Sequence, residues 1–267
     1  MNALRGFGTL TWEAIQDAVR RRIVFAIAAM GILSMMVVDS CSSCSTGSLT
    51  VNEEAQDLIE VAGYTASITF TTLGLWIVTL AGVLGADHLT QTLEDGTAPL
   101  CLARPVSREV FALSRLCGTL GIVAITGLVL LGGTAFLFAT RNGLPLGPAV
   151  EATAACGLGA LAVGALAMTA SLFLPRLATW LLVVSLVGVI ALAGGFSAAP
   201  LEQEGWLSWV GRFGPPLASS MAAALGPWMD EITLPWGPFE LWPRLLAWDV
   251  VALAGLTWAF RRREIAT

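Results

Sequence analysis

The chain has 267 residues, of which 56% are apolar and only 12% are charged, and its formal net charge is −5. Soluble globular proteins carry about 25% charged residues, so this composition leaves too little polar surface for a water-exposed globule and indicates a membrane protein. All 14 basic residues are arginine. The absence of lysine excludes a P-loop ATPase and a Schiff-base enzyme, because both need that side chain. The single histidine, His88, leaves little material for a multi-histidine metal site.

The first twenty residues place apolar side chains at helical spacing among polar ones, which predicts an amphipathic helix over residues 3–22. The interface of the membrane is the location that we expect for it, with Trp12, Arg20, Arg21 and Arg22 as anchors. The alternative is a polar lead-in to the first span.

Transmembrane helices need about 20 mostly apolar residues, and the sequence offers six such segments. They cover residues 23–38, 63–85, 117–139, 152–174, 177–199 and 241–260. The fold that we expect is therefore all-α, with a single transmembrane domain over residues 1–267. Two outer segments, 39–62 and 200–240, join spans. Gly214-Pro215-Pro216 divides the second of them into two short interfacial or re-entrant helices.

The arginine distribution orients these spans. With the N-terminus inside, eleven arginines fall on the inner side and three on the outer side. We therefore expect both termini to be cytoplasmic and the chain to lie in the cytoplasmic (inner) membrane.

A few polar side chains fall within or beside the predicted spans. Thr65, Thr69 and Thr72 share one helix face and are candidates for a polar pathway, although hydroxyls between packed helices are equally common. Asp249 lies inside the last span, where a carboxylate is a functional candidate, and its neighbours Arg244 and Trp248 also allow structural placement with an ion pair. Gly159 and Gly164 suit close helix contact, within the chain or across a dimer.

Cys41 and Cys44 form a C-x-x-C pair on the predicted outer side. A disulfide is possible there, and idle thiols, metal handling and thiol exchange stay open as alternatives. No nearby histidine completes a metal site.

The stretch "LEDGTAPLCLARPVSREVFALSRLCG", residues 93–118, combines acids, three arginines, glycine and prolines within 26 residues. We expect the second span to continue as a helix beyond the membrane and to stop near Gly96, with Pro99 opposing continuation. Ser107 is then placed to cap the next helix. The sequence therefore predicts a cytoplasmic hairpin over residues 87–109, which we call the hairpin, with charges of both signs at its tip.

This stretch resembles the cytoplasmic signature of ABC-2-type transporter permeases: acids, Gly-Thr, a "PVSR" turn and a basic residue farther along the helix. The matching residues are Glu94, Gly96, Thr97, Arg104, Pro105, Val106, Ser107, Arg108 and Arg115. The predicted layout is similar too, with an interfacial helix, six spans and a closing "FRRRE".

The resemblance implies a permease subunit of an ATP-driven exporter. The family forms dimers, which implies a second copy of this chain, and binds two copies of an ABC ATP-binding subunit. ATP and Mg would be bound by that partner, and this chain would hold no cofactor, bind no nucleic acid and catalyse no reaction. Coupling to the ATPase is expected from Glu94, Asp95, Gly96, Thr97, Arg104, Pro105, Ser107, Arg108 and Arg115, with direct contact from Glu94, Asp95, Arg104 and Arg108. The alternatives are a solvated loop, an assembly or maturation protein that uses the same ATPase without transport, and a disfavoured intramembrane enzyme.

Overall fold

The computed structural model describes residues 3–20, 29, 31–33, 36, 50–51, 54–55, 58–94, 107–198, 206–229 and 238–262. In chain order these form α1 (Ala3–Arg20), β1 (Thr50–Val51), β2 (Glu54–Ala55), α2 (Leu58–Glu94), α3 (Arg108–Asn142), α4 (Leu146–Ser171), α5 (Arg176–Ala198), α6 (Trp206–Phe213), α7 (Leu217–Ala224), a 3-10 turn (Gly226–Trp228) and α8 (Pro238–Arg262). Residues 29, 31–33 and 36 are also helical. Apart from the antiparallel pair β1–β2, this part of the chain is helical, which confirms the expected helical class.

Four of the described helices, α2, α3, α4 and α5, are long and apolar enough to cross a membrane. Helix α8 contains the predicted last span but is not among the four, and it carries Arg244 and Asp249 along its length. The predicted first span, 23–38, lies largely outside the described residues. Four membrane-compatible helices therefore support a membrane protein, and the count of six spans stays a prediction.

Helix α4 is the centre of the bundle and packs against α2, α3, α5, α7 and α8. Its buried face consists largely of alanine and glycine, which lets neighbouring backbones approach closely. A Cβ atom at Gly85 of α2 would lie 2.8 Å from the carbonyl oxygen of Gly164, and one at Gly159 would lie 2.9 Å from Leu217 of α7. The close contacts expected at Gly159 and Gly164 are thus confirmed, and they form within the chain.

The bundle has two ends, and the described contacts assign each helix terminus to one of them. At the end that we call the hairpin end, Phe111 near the start of α3 clusters with Leu172 after α4 and with Phe260 near the end of α8. At the opposite end, the Trp228 indole Nε1 donates a hydrogen bond to the Pro145 carbonyl (2.9 Å), and its ring packs edge-on against Phe70 at 5.9 Å. Helices α2, α3, α4 and α8 therefore run from one end of the bundle to the other.

Candidate functional site

The two arms of the hairpin are regular helices. Helix α2 continues to Glu94, well beyond the apolar span, and α3 begins at Arg108. The Ser107 side-chain oxygen accepts a hydrogen bond from the Val110 backbone N–H at 3.4 Å, which confirms the predicted N-cap. The hairpin therefore leaves and enters the bundle on defined helical arms.

The tip of the hairpin lies outside the described residues. This holds for several residues of the predicted partner contact: Asp95, Gly96, Thr97, Arg104 and Pro105. Glu94 and Arg108 are described as helical positions without their side chains. Their contact with an ATPase stays a prediction.

Arg115, the last basic residue of the signature, is described in full and is buried. Only 5% of it is exposed, and its guanidinium lies over the Phe111 ring, 5.4 Å from the centroid. A side chain that is buried inside the bundle is unavailable to an exposed contact surface. Arg115 therefore belongs to the packing at the base of the hairpin.

Helix α1 packs along the first turns of α3. Ala14 is fully buried, and a Cβ at Gly118 would lie 2.4 Å from the Ala14 Cβ. Trp12 points away from this contact and is 60% exposed. The expected helix is present, and its interfacial location stays a prediction. Arg21 and Arg22 lie outside the described residues, and Arg20 is described only as the last helical position.

A buried ion pair at the hairpin end joins two helices that the sequence did not connect. Asp87 of α2 is 1% exposed, and its Oδ1 lies 2.5 Å from Nε of Arg176, the first residue of α5. The guanidinium of Arg176 also lies 4.9 Å from the centre of the Trp180 ring. Sequence reasoning used Arg176 only for orientation and did not single out Asp87. The sequence did contain a signal for this site. Asp87 directly follows a long apolar run, and the next residue, buried His88, is the only histidine of the chain.

A second ion pair, which is exposed, joins the other arm of the hairpin to α8. Glu109 Oε1 accepts a hydrogen bond from Arg261 Nε at 2.5 Å, joining the start of α3 to the end of α8. Beneath it, the rings of Phe111 and Phe260 lie 6.1 Å apart. Exposed ion pairs contribute little individually, about 0–1 kcal/mol, so the aromatic contact holds this junction.

At the opposite end, the chain bends sharply at Gly214-Pro215-Pro216, which we call the elbow. The Gly214 N–H donates to the Val210 carbonyl (2.8 Å), but Pro215 lacks an N–H group and cannot donate to the Gly211 carbonyl. Arg244 of α8 supplies this donor, with Nη2 donating to the carbonyls of Gly211 (2.6 Å) and Gly214. Trp248, one turn later, donates from Nε1 to the Phe213 carbonyl (3.0 Å). The last helix thus caps α6 from outside.

Below the elbow, α7 is buried between the long helices. Leu217 meets Gly159 of α4, and the Met221 sulfur would lie 2.3 Å from a Cβ at Gly74 of α2. The predicted short helices on either side of the Gly-Pro-Pro break are present. Their placement relative to a membrane stays a prediction.

The three threonines proposed for a polar pathway have different surroundings. Thr69 is buried and donates its hydroxyl hydrogen to the Thr65 carbonyl (2.7 Å), whereas Thr72 is exposed and donates to the Ile68 carbonyl (2.8 Å). Both hydroxyls donate within their own helix, and a polar pathway along this face stays a prediction.

Asp249 is a buried carboxyl in an otherwise apolar stripe. It is 4% exposed and follows Leu245 and precedes Ala252 on the face of α8 that packs against α4. The carboxyl lies beside the backbone of Ala162, and neither oxygen makes a well-formed hydrogen bond with any described residue. The ion pair considered with Arg244 is absent, because the described nitrogen contacts of Arg244 are with the elbow.

Replacing this carboxyl by an apolar side chain is expected to stabilise the protein. A buried polar group without a partner costs about 1–3 kcal/mol, so Asp249→Val should raise the free energy of unfolding in mixed micelles by about 1 kcal/mol. Asp249→Asn, which keeps a polar group of the same size, is the matched control and should give no such gain. A destabilised Asp249→Val variant would contradict this prediction and would mean that the carboxyl has a stabilising partner.

An apolar cavity of about 370 Å³ lies mainly between α3 and α4, with Ile77 of α2 at its base. The Cys156 thiol borders it and donates a weak hydrogen bond to the Gly74 carbonyl (3.5 Å). Cys117 and Cys156 are free cysteines, whereas Cys41 and Cys44 lie outside the described residues. The apolar lining of the cavity suits hydrocarbon rather than ionic ligands.

Within the described part of the chain, no three His, Cys, Asp or Glu side chains come together as a metal site would require. The polar centres are instead pairs at helix junctions. No protein-family model matches the chain, and no curated protein matches it. The hairpin and the contacts of its arms are therefore the features of the molecule that bear on its function.

Proposed function

We propose that this chain is the permease subunit of an ATP-driven ABC-2-type exporter in the cytoplasmic membrane, where it works as a dimer with two copies of an ABC ATP-binding subunit. The observation that carries the proposal is the hairpin. The signature residues 93–118 join a helix that continues to Glu94 and a helix that is capped by Ser107. We expect a partner protein that binds this segment to move the two helices that it joins.

The arrangement of the two ends supports six crossings and two termini on one side. Helix α1 packs on the early turns of α3, at the hairpin end, whereas a Cβ at Gly63 near the start of α2 would meet the Trp228 carbonyl at the opposite end. The chain between residues 20 and 58 thus connects the two ends, and Gly31 contacts Leu130 between them. Helix α8 runs back to the hairpin end, where the closing arginines lie.

The division of labour in this proposal follows from composition. The chain has no lysine and so cannot form the P-loop that holds ATP phosphates. ATP and Mg would be bound by the partner, and the hairpin would convert closure of the ATPase into movement of the spans. The outer segment 200–240 is too short for a large recognition domain, so the substrate class is left open.

Two measurements test the proposal. In the first, the tagged chain is purified from its native membranes in mild detergent, and Mg-dependent ATP hydrolysis of the assembly is measured together with the mass of each subunit. We expect an ATP-binding subunit in equal number with this chain, which would be absent if the protein were an enzyme acting alone.

In the second, a cysteine at position 97 is probed in intact cells with a membrane-impermeant maleimide, against a control cysteine at Asn142 beside the turn at the opposite end. We expect labelling at 142 and protection at 97 until the membrane is opened. Labelling of position 97 in sealed cells would place the hairpin outside and contradict the proposal. An ATPase assembly without ATP-dependent uptake of any compound into inverted vesicles would favour the assembly or maturation role.

A further inference from the structure

We propose that the Asp87–Arg176 ion pair is the joint through which the hairpin moves α5. This inference rests on the proposed function and assigns the moving helix, which neither the signature nor the layout of the spans identifies. Asp87 and Arg176 are positioning residues in this mechanism, because they transmit movement and touch no substrate.

The pair lies at the base of the hairpin. Asp87 lies about two helical turns before Glu94, on the same continuous helix that carries the first half of the hairpin. Arg176 is the first residue of α5, so a displacement of α2 acts at the very start of that helix. The positive end of the α5 dipole also favours a carboxylate at this point.

The chemistry of the contact also suits this role. Asp87 is almost completely buried, whereas the Arg176 side chain is 43% exposed, so the pair closes the hairpin end of the bundle with the carboxylate inside. The planar guanidinium both pairs with Asp87 and lies over Trp180, a combination that lysine cannot reproduce. Removing Arg176 deprives the buried Asp87 carboxylate of this ion pair, which is unfavourable for a charge in this position.

The other three membrane-compatible helices are held more firmly than α5 by the described residues. In the apolar windows of α2, α3 and α4, 50–61% of the residues are buried, against 28% in α5. The α2 backbone is locked to α4 by the close approach of Gly85 to Gly164. Among the four membrane-compatible helices, α5 therefore has the least contact with other described residues, and Asp87–Arg176 joins its first turn to the hairpin arm.

The other arm has a different attachment, which supplies a matched control. Helix α3 is joined to α8 by the exposed pair Glu109–Arg261. Removing that pair leaves the Phe111–Phe260 contact in place. The two ion pairs thus lie at the same end of the bundle but fasten different helices.

The first test needs no ATPase. Thermal unfolding in detergent is measured for Asp87→Asn, Arg176→Gln and the double variant, and in parallel for Glu109→Gln, Arg261→Gln and their double variant. We expect lower midpoints and strong non-additivity for the first set, and near-additive, small effects for the second. Additive effects of Asp87→Asn and Arg176→Gln would overturn the joint, because they would mean that the two side chains do not act together.

The second test follows the movement of α5 in the ATPase assembly. In a background without the five native cysteines, spin labels at the exposed positions Leu181 of α5 and Val150 of α4 report the distance between these helices by pulsed electron resonance. We expect trapping with Mg-ATP and vanadate to shift this distance in the parent protein and in Glu109→Gln/Arg261→Gln. The shift should be lost in Asp87→Asn/Arg176→Gln while ATP hydrolysis continues.

If the pair had only a structural role, its removal would lower expression, ATP hydrolysis and the distance shift together. If the double variant does not fold, Arg176→Lys takes its place in this test. Arg176→Lys keeps the charge but loses the planar contact, so it should fold and show a reduced shift. If the parent assembly hydrolyses ATP and the shift persists in the variants, the joint is wrong and the permease role stands. If the parent protein has no ATPase partner, the permease role is wrong and the joint is overturned with it.

Discussion

Reversing two charges at the hairpin tip, Arg104→Glu with Arg108→Glu, is expected to abolish ATP hydrolysis by the purified assembly. In the proposed permease these arginines face the ATP-binding subunit, and placing like charges across an interface costs several kcal/mol. Each 1.4 kcal/mol is a factor of ten in affinity, so the amount of co-purified ATPase should fall by at least about tenfold. The measurements are subunit stoichiometry and Mg-dependent hydrolysis in mild detergent.

The control for this experiment is Arg141→Glu, which changes an exposed arginine in the last turn of α3 at the opposite end. It should leave the stoichiometry and the hydrolysis rate unchanged. An unchanged assembly with Arg104→Glu/Arg108→Glu would show that the tip is a solvated loop, which is the alternative that the sequence leaves open.

Removing the cap on the elbow is expected to destabilise the protein clearly. Arg244→Met keeps the length of the side chain but leaves the carbonyls of Gly211 and Gly214 without their donor. Because these groups are only partly buried, we expect a loss of about 2 kcal/mol in the free energy of unfolding. Trp248→Phe removes one hydrogen bond and should cost about 1 kcal/mol.

Arg212→Met is the matched control for the elbow. Arg212 is exposed on α6 and lies 5.9 Å from the Phe213 ring, so its removal should change stability by less than about 0.5 kcal/mol. Unfolding in mixed micelles, followed by circular dichroism, measures all three variants. Equal losses for Arg244→Met and Arg212→Met would contradict the capping role, because both changes remove one positive charge from the same end.

The elbow and the Asp87–Arg176 pair lie at opposite ends of one bundle, and both attach a turn to a distant helix. At the elbow, Arg244 replaces the donor that Pro215 cannot supply to the Gly211 carbonyl and also donates to the Gly214 carbonyl. At the hairpin end, Arg176 provides the charge that a buried carboxylate needs. Asp249, between the ends, has no comparable contact with a described residue, which is why its replacement is expected to stabilise the protein rather than to weaken it.

The local features of the fold were predictable because they depend on neighbours in sequence. The helical class, the long α2, the Ser107 cap and the break at Gly214-Pro215-Pro216 all follow from hydropathy, turn residues and capping chemistry. Close helix contact at Gly159 and Gly164 was predictable because these residues are small. Which helices they contact was not predictable.

Contacts between helices were not predictable in the same way, because they depend on the rotation of each helix about its own axis. Arg115 was expected on a partner surface and is buried beside Phe111; Arg244 was considered as a partner for Asp249 and contacts the elbow instead. The sequence by itself determined an apolar, lysine-free helical chain with a charged hairpin. Only the tertiary structure decided that Asp87 meets Arg176 and that α8 caps α6, because such pairs form where separate helix faces come together in space.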